Sequence, residues 1–236
     1  MTGWLIDLAA PLPMLDTMLI DSPVQTEPDF SRERELMARG ARLVAGVDEA
    51  GRGPLAGPVV VSAVVLDSAS IPDGLDDSKR LDAETRETLF ERVMATALGV
   101  AVVVAPPSII LERNIRGATL WAMARAACSL PVVPDRVLVD GRDVPMGLPC
   151  DGIAVIGGDG LSVSIAAASI VAKVTRDRMC RIMDCDAPHF GFAGHKGYST
   201  PQHLTALTQH GPCRHHREAF APVAEAWARL RGELVA

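Results

Sequence analysis

Short apolar runs bounded by glycine or proline alternate along the chain with longer stretches of helix formers. Residues 42–47, 59–66 and 99–105 are rich in β-branched side chains, and bounded runs of this kind predict buried strands. The first two lie close enough in sequence to pair antiparallel. Residues 82–97 carry good helix formers behind a polar cap, and the Ala-rich stretch 115–129 follows Asn114, another good cap. Residues 136–139 and 152–156 predict two more short strands, and 164–183 a long helix whose Ala-rich start allows tight packing. A short helix is expected over 32–39, stopped at Gly40. The order reads βββααββα. Three early strands followed by strands separated by helices predict an α/β protein with a mixed sheet flanked by helices, not a doubly wound parallel sheet. Residues 1–32 mix acids and prolines with few periodic apolar positions and read as an arm. Residues 33–236 read as one domain with a C-terminal helical segment.

Composition narrows the class. With 48% apolar and 22% charged residues, a chain of 236 can bury roughly 70–75% of its unfolded surface, which excludes disorder as a whole. No apolar run reaches the roughly 18 residues of a membrane span; the best, 98–105, stops at Pro106 and Pro107. The N-terminus has no Lys or Arg before its first apolar stretch and is interrupted by Asp7, Pro11, Pro13 and Asp16, so no secretory signal and no membrane partner are expected, and the protein is expected in the cytoplasm as a monomer. Five cysteines form an odd set in a chain large enough to need no staples, so reduced thiols are expected. Cys213 lies near His210, His215 and His216, but no paired C-x-x-C or H-x3-H frame supports structural zinc.

A net charge of −6 argues against indiscriminate binding to a polyanion. The charge is unevenly placed, however. Between residues 171 and 217 seven Lys or Arg face three Asp, and all six histidines fall in the same stretch. That segment can line a nucleic-acid track while the rest of the chain supplies carboxylates, or it can be a solvated basic face.

Asp48 and Glu49 close the otherwise apolar run 43–47 and are followed at once by Gly51-Arg52-Gly53. Acids at the end of a buried strand are costly unless they are used or serve as caps. Neighbouring side chains on a regular strand face opposite sides, so both carboxylates reach one site only if the strand ends or bulges there. Asp140 repeats the pattern, ending Val137-Leu138-Val139 before Gly141. If the two strands are neighbours, three acids converge at one end of the sheet. Crowded oxygen ligands with few thiol or imidazole neighbours suit Mg²⁺ or Mn²⁺. Asp177 is the candidate fourth acid, or else an i,i+4 partner of Lys173 or Arg181.

The glycines at 51–57 do not make a nucleotide loop: the Lys-Ser/Thr of a P-loop is missing, and the spacing contains Pro54. They do allow backbone groups to approach a ligand closely. The sequence His195-Lys196-Gly197-Tyr198-Ser199-Thr200 holds the only tyrosine, suited either to stacking on a sugar or base or to anchoring the loop.

Taken together, Asp48-Glu49-Ala50-Gly51-Arg52-Gly53-Pro54, Asp77-Ser78-Lys79, Val139-Asp140-Gly141, Ser169-Ile170-Val171-Ala172-Lys173-Val174 with Asp177, and His195-Lys196-Gly197-Tyr198 resemble bacterial type 2 ribonuclease H in order and spacing, over residues 33–223. The resemblance implies a ribonuclease H-like fold with a five-stranded mixed sheet. It implies hydrolysis of the RNA strand of RNA-DNA hybrids, and incision 5′ to single ribonucleotides embedded in duplex DNA. Asp48, Glu49, Asp140 and Asp177 match the catalytic acids, expected to hold two divalent ions, Mn²⁺ or Mg²⁺, about 4 Å apart. Gly51, Arg52 and Gly53 match the element that reads the ribose 2′-hydroxyl by backbone contacts, and Tyr198 matches the junction-sensing tyrosine. His195, Lys196, Lys79, Lys173 and Arg176 are expected on backbone phosphate, or on the surface without that role. Phe190 stands where a tyrosine is common. Ser199 replaces a glycine, and its Cβ would make a left-handed turn there costlier. Two other readings stay open: a nuclease of the same superfold acting on DNA only, and a non-catalytic module that binds hybrids.

Overall fold

A computed structural model of the chain describes residues 27–232. The strands β1 (Val44–Ala50), β2 (Val59–Val65), β3 (Gly99–Ala105), β4 (Arg136–Asp140) and β5 (Gly152–Val155) form one sheet in the order β3-β2-β1-β4-β5. β1 pairs antiparallel with β2, and β2 with β3; β4 runs parallel to both β1 and β5. The mixed sheet is the one expected. The order βββααββα does not hold: α2 (Ala83–Thr96), the helix expected over 82–97, stands between β2 and β3, as its position in the sequence requires, and α3 (Pro107–Cys128) then leads to β4.

The two-residue alternation of the strands sorts the core into two faces. Ala45, Val47, Val61 and Ala63 pack with Ala118 and Ala122 of α3 on one side. On the other, Val64 and Leu66 pack with Leu89 and Val93 of α2 and with Ile170 and Val171 of α4 (Val163–Asp186). Gly46 lies on the α4 face. A Cβ there would meet the Ser164 carbonyl carbon at 2.1 Å, so only glycine lets the α4 backbone rest directly on β1.

The caps explain the boundaries. Asp82 accepts the Thr85 N–H at 2.7 Å and starts α2. Asn114, at φ 54 and ψ 171, divides α3, and its Oδ1 accepts the Gly117 N–H at 3.0 Å. The expected cap is therefore present, with an unpredicted segment, 107–113, ahead of it.

The expected arm, 1–32, lies mostly outside the described residues. Its described end docks: Asp29 O accepts the Val163 N–H, and α1 (Ser31–Ala38) buries Glu33, whose Oε1 accepts the Ser162 hydroxyl and the Ser164 N–H. Past α4, the short α5 (Phe192–His195), α6 (Pro201–His210) and α7 (Ala221–Leu230) complete the chain. Among the described residues no helix is long and apolar enough to cross a membrane, and all five cysteines are free.

Candidate active site

Three carboxylates meet at the end of the sheet. Oxygens of Asp48, Glu49 and Asp140 lie within 4.8 Å of one another, the one group of three or more metal-ligating side chains among the described residues. Of the two routes open from the sequence, a bulge or a strand end, the bulge is absent. β1 stays in regular register with β2 through Asp48↔Ser62, Glu49↔Val61 and Ala50↔Val60, whereas its pairing with β4 stops at Val47↔Val139. Asp48 and Asp140 follow the α4 face, and Glu49 follows the α3 face. β4 runs only one residue further, to Asp140, so the longer Glu49 side chain reaches the other two carboxylates around the end of the sheet.

The acids are close to each other, Asp48 buried and Glu49 and Asp140 half-buried at the cleft. Asp48 is 4% exposed. Burial, then the charges of Glu49 and Asp140, push its carboxyl well above the usual range, against a hydrogen bond from Ser169. Burial also raises Glu49, with Asp140 adding to it and Arg52 opposing. Asp140 is raised by burial and then by Asp159, while the Gly158 N–H, 2.7 Å from its Oδ1, opposes.

Asp159 was not singled out in the sequence. It sits buried in the short 3₁₀ turn Gly158–Gly160 directly after β5, beside Asp140, and its Oδ2 is 2.9 Å from Lys79 Nζ. Burial alone would lower the Lys79 ammonium, but Asp159 and Asp77 hold it above its usual value. A signal was available: Asp159 is an acid among glycines after a short apolar strand, as Asp48 and Asp140 are. Asp177, expected as the fourth acid, is outside the cluster. Its Oδ1 takes the Lys173 ammonium at 2.8 Å. It lies two turns beyond Ser169, roughly 12 Å along α4 from the residue that touches Asp48.

The Gly51-Arg52-Gly53 loop borders a cleft of ≈ 460 Å³ shared with Asp48, Lys79, Lys173 and Tyr198. Two buried arginines hold it from beneath. Arg176, 1% exposed, donates to the carbonyls of Pro58, Ala56 and Lys196 at 3.1, 3.2 and 3.0 Å. Expected on phosphate, it is instead enclosed in the loop's foundation. Arg217, which the sequence shows only as one of seven cations in the basic 171–217 segment, is also 1% exposed and donates to the carbonyls of Gly57, Arg52 and Gly51 at 2.8, 2.8 and 2.5 Å. Burial, then the charge of Arg176, lowers its pKa to about 9. In a trans peptide the C=O and the following N–H point in opposite directions. Drawing the Gly51 and Arg52 carbonyls down to Arg217 therefore turns the Arg52 and Gly53 N–H groups away from it, and both residues line the cleft.

Tyr198 is 48% exposed on the cleft wall opposite Gly53. Its turn is carried by Lys196 at φ 53 and Gly197 at φ 80; Ser199 is outside the left-handed region, so its Cβ brings no strain. His195 and Lys196, expected on phosphate, both make contacts within their own loop. His195 Nε2 contacts the Phe190 carbonyl at 2.7 Å while Nδ1 accepts the Gly197 N–H, and the Lys196 ammonium donates to the Ala193 carbonyl. Lys79, with a side chain 77% exposed, does face outward.

An acid-lined strand end on a mixed sheet, with α4 packed across it, defines a protein of the ribonuclease H-like fold. The family model of ribonuclease HII matches residues 45–223. A ribonuclease HII of Rhodopseudomonas palustris (strain BisA53) is 61% identical over 201 residues, covering 85% of this chain and 71% of that protein. One of Bradyrhizobium diazoefficiens is 58% identical over 200 residues, covering 85% and 76%. The crystal structure of ribonuclease H2 from Pyrococcus horikoshii superposes with a TM-score of 0.70 at 31% identity, over 80% of this chain and 99% of that one. The chain belongs to the ribonuclease HII family, and is a hydrolytic endonuclease of the ribonuclease H type.

Proposed function

We propose that this endonuclease hydrolyses the RNA strand of RNA-DNA hybrids and incises duplex DNA on the 5′ side of a single embedded ribonucleotide, using two divalent ions held at the acid-lined strand end. The observation that carries the reading is the cluster of Asp48, Glu49 and Asp140: three carboxylates, oxygens within 4.8 Å, each raised by burial and most by mutual repulsion. Such a set is relieved by a bound cation, and its hard oxygen donors, without thiol or imidazole, fit Mg²⁺ or Mn²⁺. Asp48, Glu49 and Asp140 would be the ligands, with Asp159 in place of Asp177 as the fourth acid. Bound there, the ions supply Lewis acidity for attack of water on the phosphodiester and for the departing 3′ oxygen, giving a 5′-phosphate and a 3′-hydroxyl.

The chain's own residues set the geometry. Ser169 and the Gly158 N–H orient Asp48 and Asp140, and Lys79 pairs with Asp159. The outward N–H groups of Arg52 and Gly53 suit a 2′-hydroxyl, which supports the ribose-reading role of the loop. Exposed Tyr198, facing Gly53, suits stacking where RNA gives way to DNA. Lys79 and Lys173 remain the candidates for backbone phosphate. All these residues come from one unit running from the docked residue 29 to α7.

A labelled duplex with one internal ribonucleotide, incubated with and without Mg²⁺ or Mn²⁺, tests the reading. The expected product is a single metal-dependent nick 5′ to the ribonucleotide. Nicking of ribonucleotide-free duplex would favour a DNA nuclease, and tight binding without any cut would favour a binding module.

A further inference from the structure

Behind Tyr198 lies a chain of buried polar contacts that the reaction does not use. His203, in the first turn of α6, is fully buried, and its Nδ1 lies 2.8 Å from the Tyr198 carbonyl. Its Nε2 is 3.0 Å from Nε2 of His216, itself 4% exposed. His216 Nδ1 in turn lies 3.0 Å from the backbone nitrogen of Cys213 and 3.2 Å from its Sγ, whose thiol is a weak donor to the same nitrogen.

The chemistry of these partners allows one arrangement of protons. The Cys213 N–H can only donate, so His216 Nδ1 accepts and, in a neutral ring, the proton is on Nε2. His216 Nε2–H then donates to His203 Nε2, which leaves the His203 proton on Nδ1, directed at the Tyr198 carbonyl, a group that can only accept. Every contact is satisfied with both rings neutral. Protonating His203 would set two N–H groups against each other across the 3.0 Å between the rings, and protonating His216 would set its Nδ1–H against the Cys213 N–H. Burial, first among the causes, lowers both rings from their ordinary value, His216 to about 4. The neighbours facing the pair are His195, stacked on His203 with ring centroids 4.5 Å apart, Phe190 and Phe192, and His215 and His189 near His216.

The far end of this chain is anchored to the ribose-reading loop. Ala56 bridges to His216, the Gly57 N–H donates to His215 O, and the Arg217 N–H donates to Leu55 O. We infer that His203 and His216 form a positioning relay that fixes the Tyr198 backbone relative to the Gly51–Gly53 loop, so that both histidines determine how well the enzyme discriminates a lone ribonucleotide from continuous RNA. This deepens, and rests on, the junction-sensing role proposed for Tyr198.

Two measurements test it. Long-range ¹H–¹⁵N correlation spectra of the full chain report imidazole tautomers without reference to activity; the relay requires the Nδ1–H form for His203 and the Nε2–H form for His216, and either opposite tautomer overturns it. Cleavage is then measured on a single-ribonucleotide duplex and on a continuous hybrid. His203→Ala should lower kcat/KM on the first by about tenfold more than on the second, the size expected of one lost positioning contact. His203→Asn, whose amide can still donate to Tyr198 O, and His216→Gln, whose amide can still donate to His203, should each recover most of that selectivity. His203→Ala combined with Tyr198→Ala should be no more selective in its loss than Tyr198→Ala alone. If Tyr198→Ala costs both substrates equally, the junction reading fails. If Tyr198→Ala is selective but His203→Ala costs both substrates equally, the relay fails.

Discussion

Two alanine substitutions, two residues apart in the same loop, should have opposite consequences. Gly51 has φ +94, and a Cβ there would lie 1.9 Å from Nε of Arg176. A left-handed L-residue costs roughly 1–2 kcal/mol. Displacing Arg176 also leaves the carbonyls of Pro58, Ala56 and Lys196 short of a donor, at about 1 kcal/mol each at the low end. The sum, about 4–5 kcal/mol, is a large part of the roughly 5–15 kcal/mol that holds a domain folded, and corresponds to a fall in Tm on the order of 10 °C. Gly53 is different. It is outside the left-handed region, and its Cβ would meet nothing closer than Tyr198 Cε1 at 3.6 Å, an ordinary contact. Gly53→Ala should therefore melt at or slightly above the parent temperature, since alanine lowers the entropy of the unfolded chain by about 0.4–1 kcal/mol. Its methyl group nonetheless stands in the cleft where a ribose would approach the loop, so KM for ribonucleotide substrates should rise while the fold is unchanged. Calorimetric melting and kcat/KM on both substrates separate the two. A Gly53→Ala enzyme with parental KM would remove the loop from substrate reading; a Gly51→Ala enzyme with parental Tm would refute the account of Arg176.

Asp48→Asn should abolish cleavage, by about a hundredfold at least, since several kcal/mol of charge stabilisation disappear with a ligand. It should still bind substrate, and, with one buried like charge gone, its metal-free form should melt no lower than the parent; unchanged turnover would refute the ligand assignment. Asp159→Asn should cost activity about tenfold or more, whereas Asp177→Asn, which removes a partner of Lys173, should stay within about threefold; manganese titrations of both variants decide, and the reverse ranking would restore Asp177 to the site. Acid should weaken the fold through His216. Its folded pKa, about 4, lies below the unfolded value near 6.5, so the unfolded chain binds the proton first and stability is lost as pH falls from about 6.5 to 4, by roughly 3 kcal/mol. The raised acids Asp48, Glu49 and Asp140 work in the opposite direction, so the measurement is the difference between the parent and His216→Gln in denaturant titrations at pH 7 and pH 4; parallel losses would contradict it.

How far the sequence could be read depended on whether a feature is local. The strands were legible because burial on both faces leaves runs such as 59–65 apolar but for Ser62, and Asp48 and Asp140 were legible because an acid ending such a run is physically conspicuous. Their manner of convergence was not: whether Glu49 needs a bulge depends on β4 ending one residue past Val139, a property of the neighbouring strand. Asp177 was chosen for its place on a basic helix, and that same proximity supplies the Lys173 ammonium that occupies it. The missed arginine shows the deeper limit. A charge without a nearby acid reads as surface, yet the partners of Arg217 are carbonyls 160 or more residues away, and carbonyls leave no mark in a sequence. The division follows from the chemistry. Metal binding uses side chains, which the sequence displays, while recognition of a 2′-hydroxyl by peptide N–H groups uses backbone orientation, which is set by buried donors elsewhere in the chain. On the proposed reading, specificity is accordingly open to change at Arg176, Arg217, His203 and His216, four buried residues that act through the backbone of the cleft.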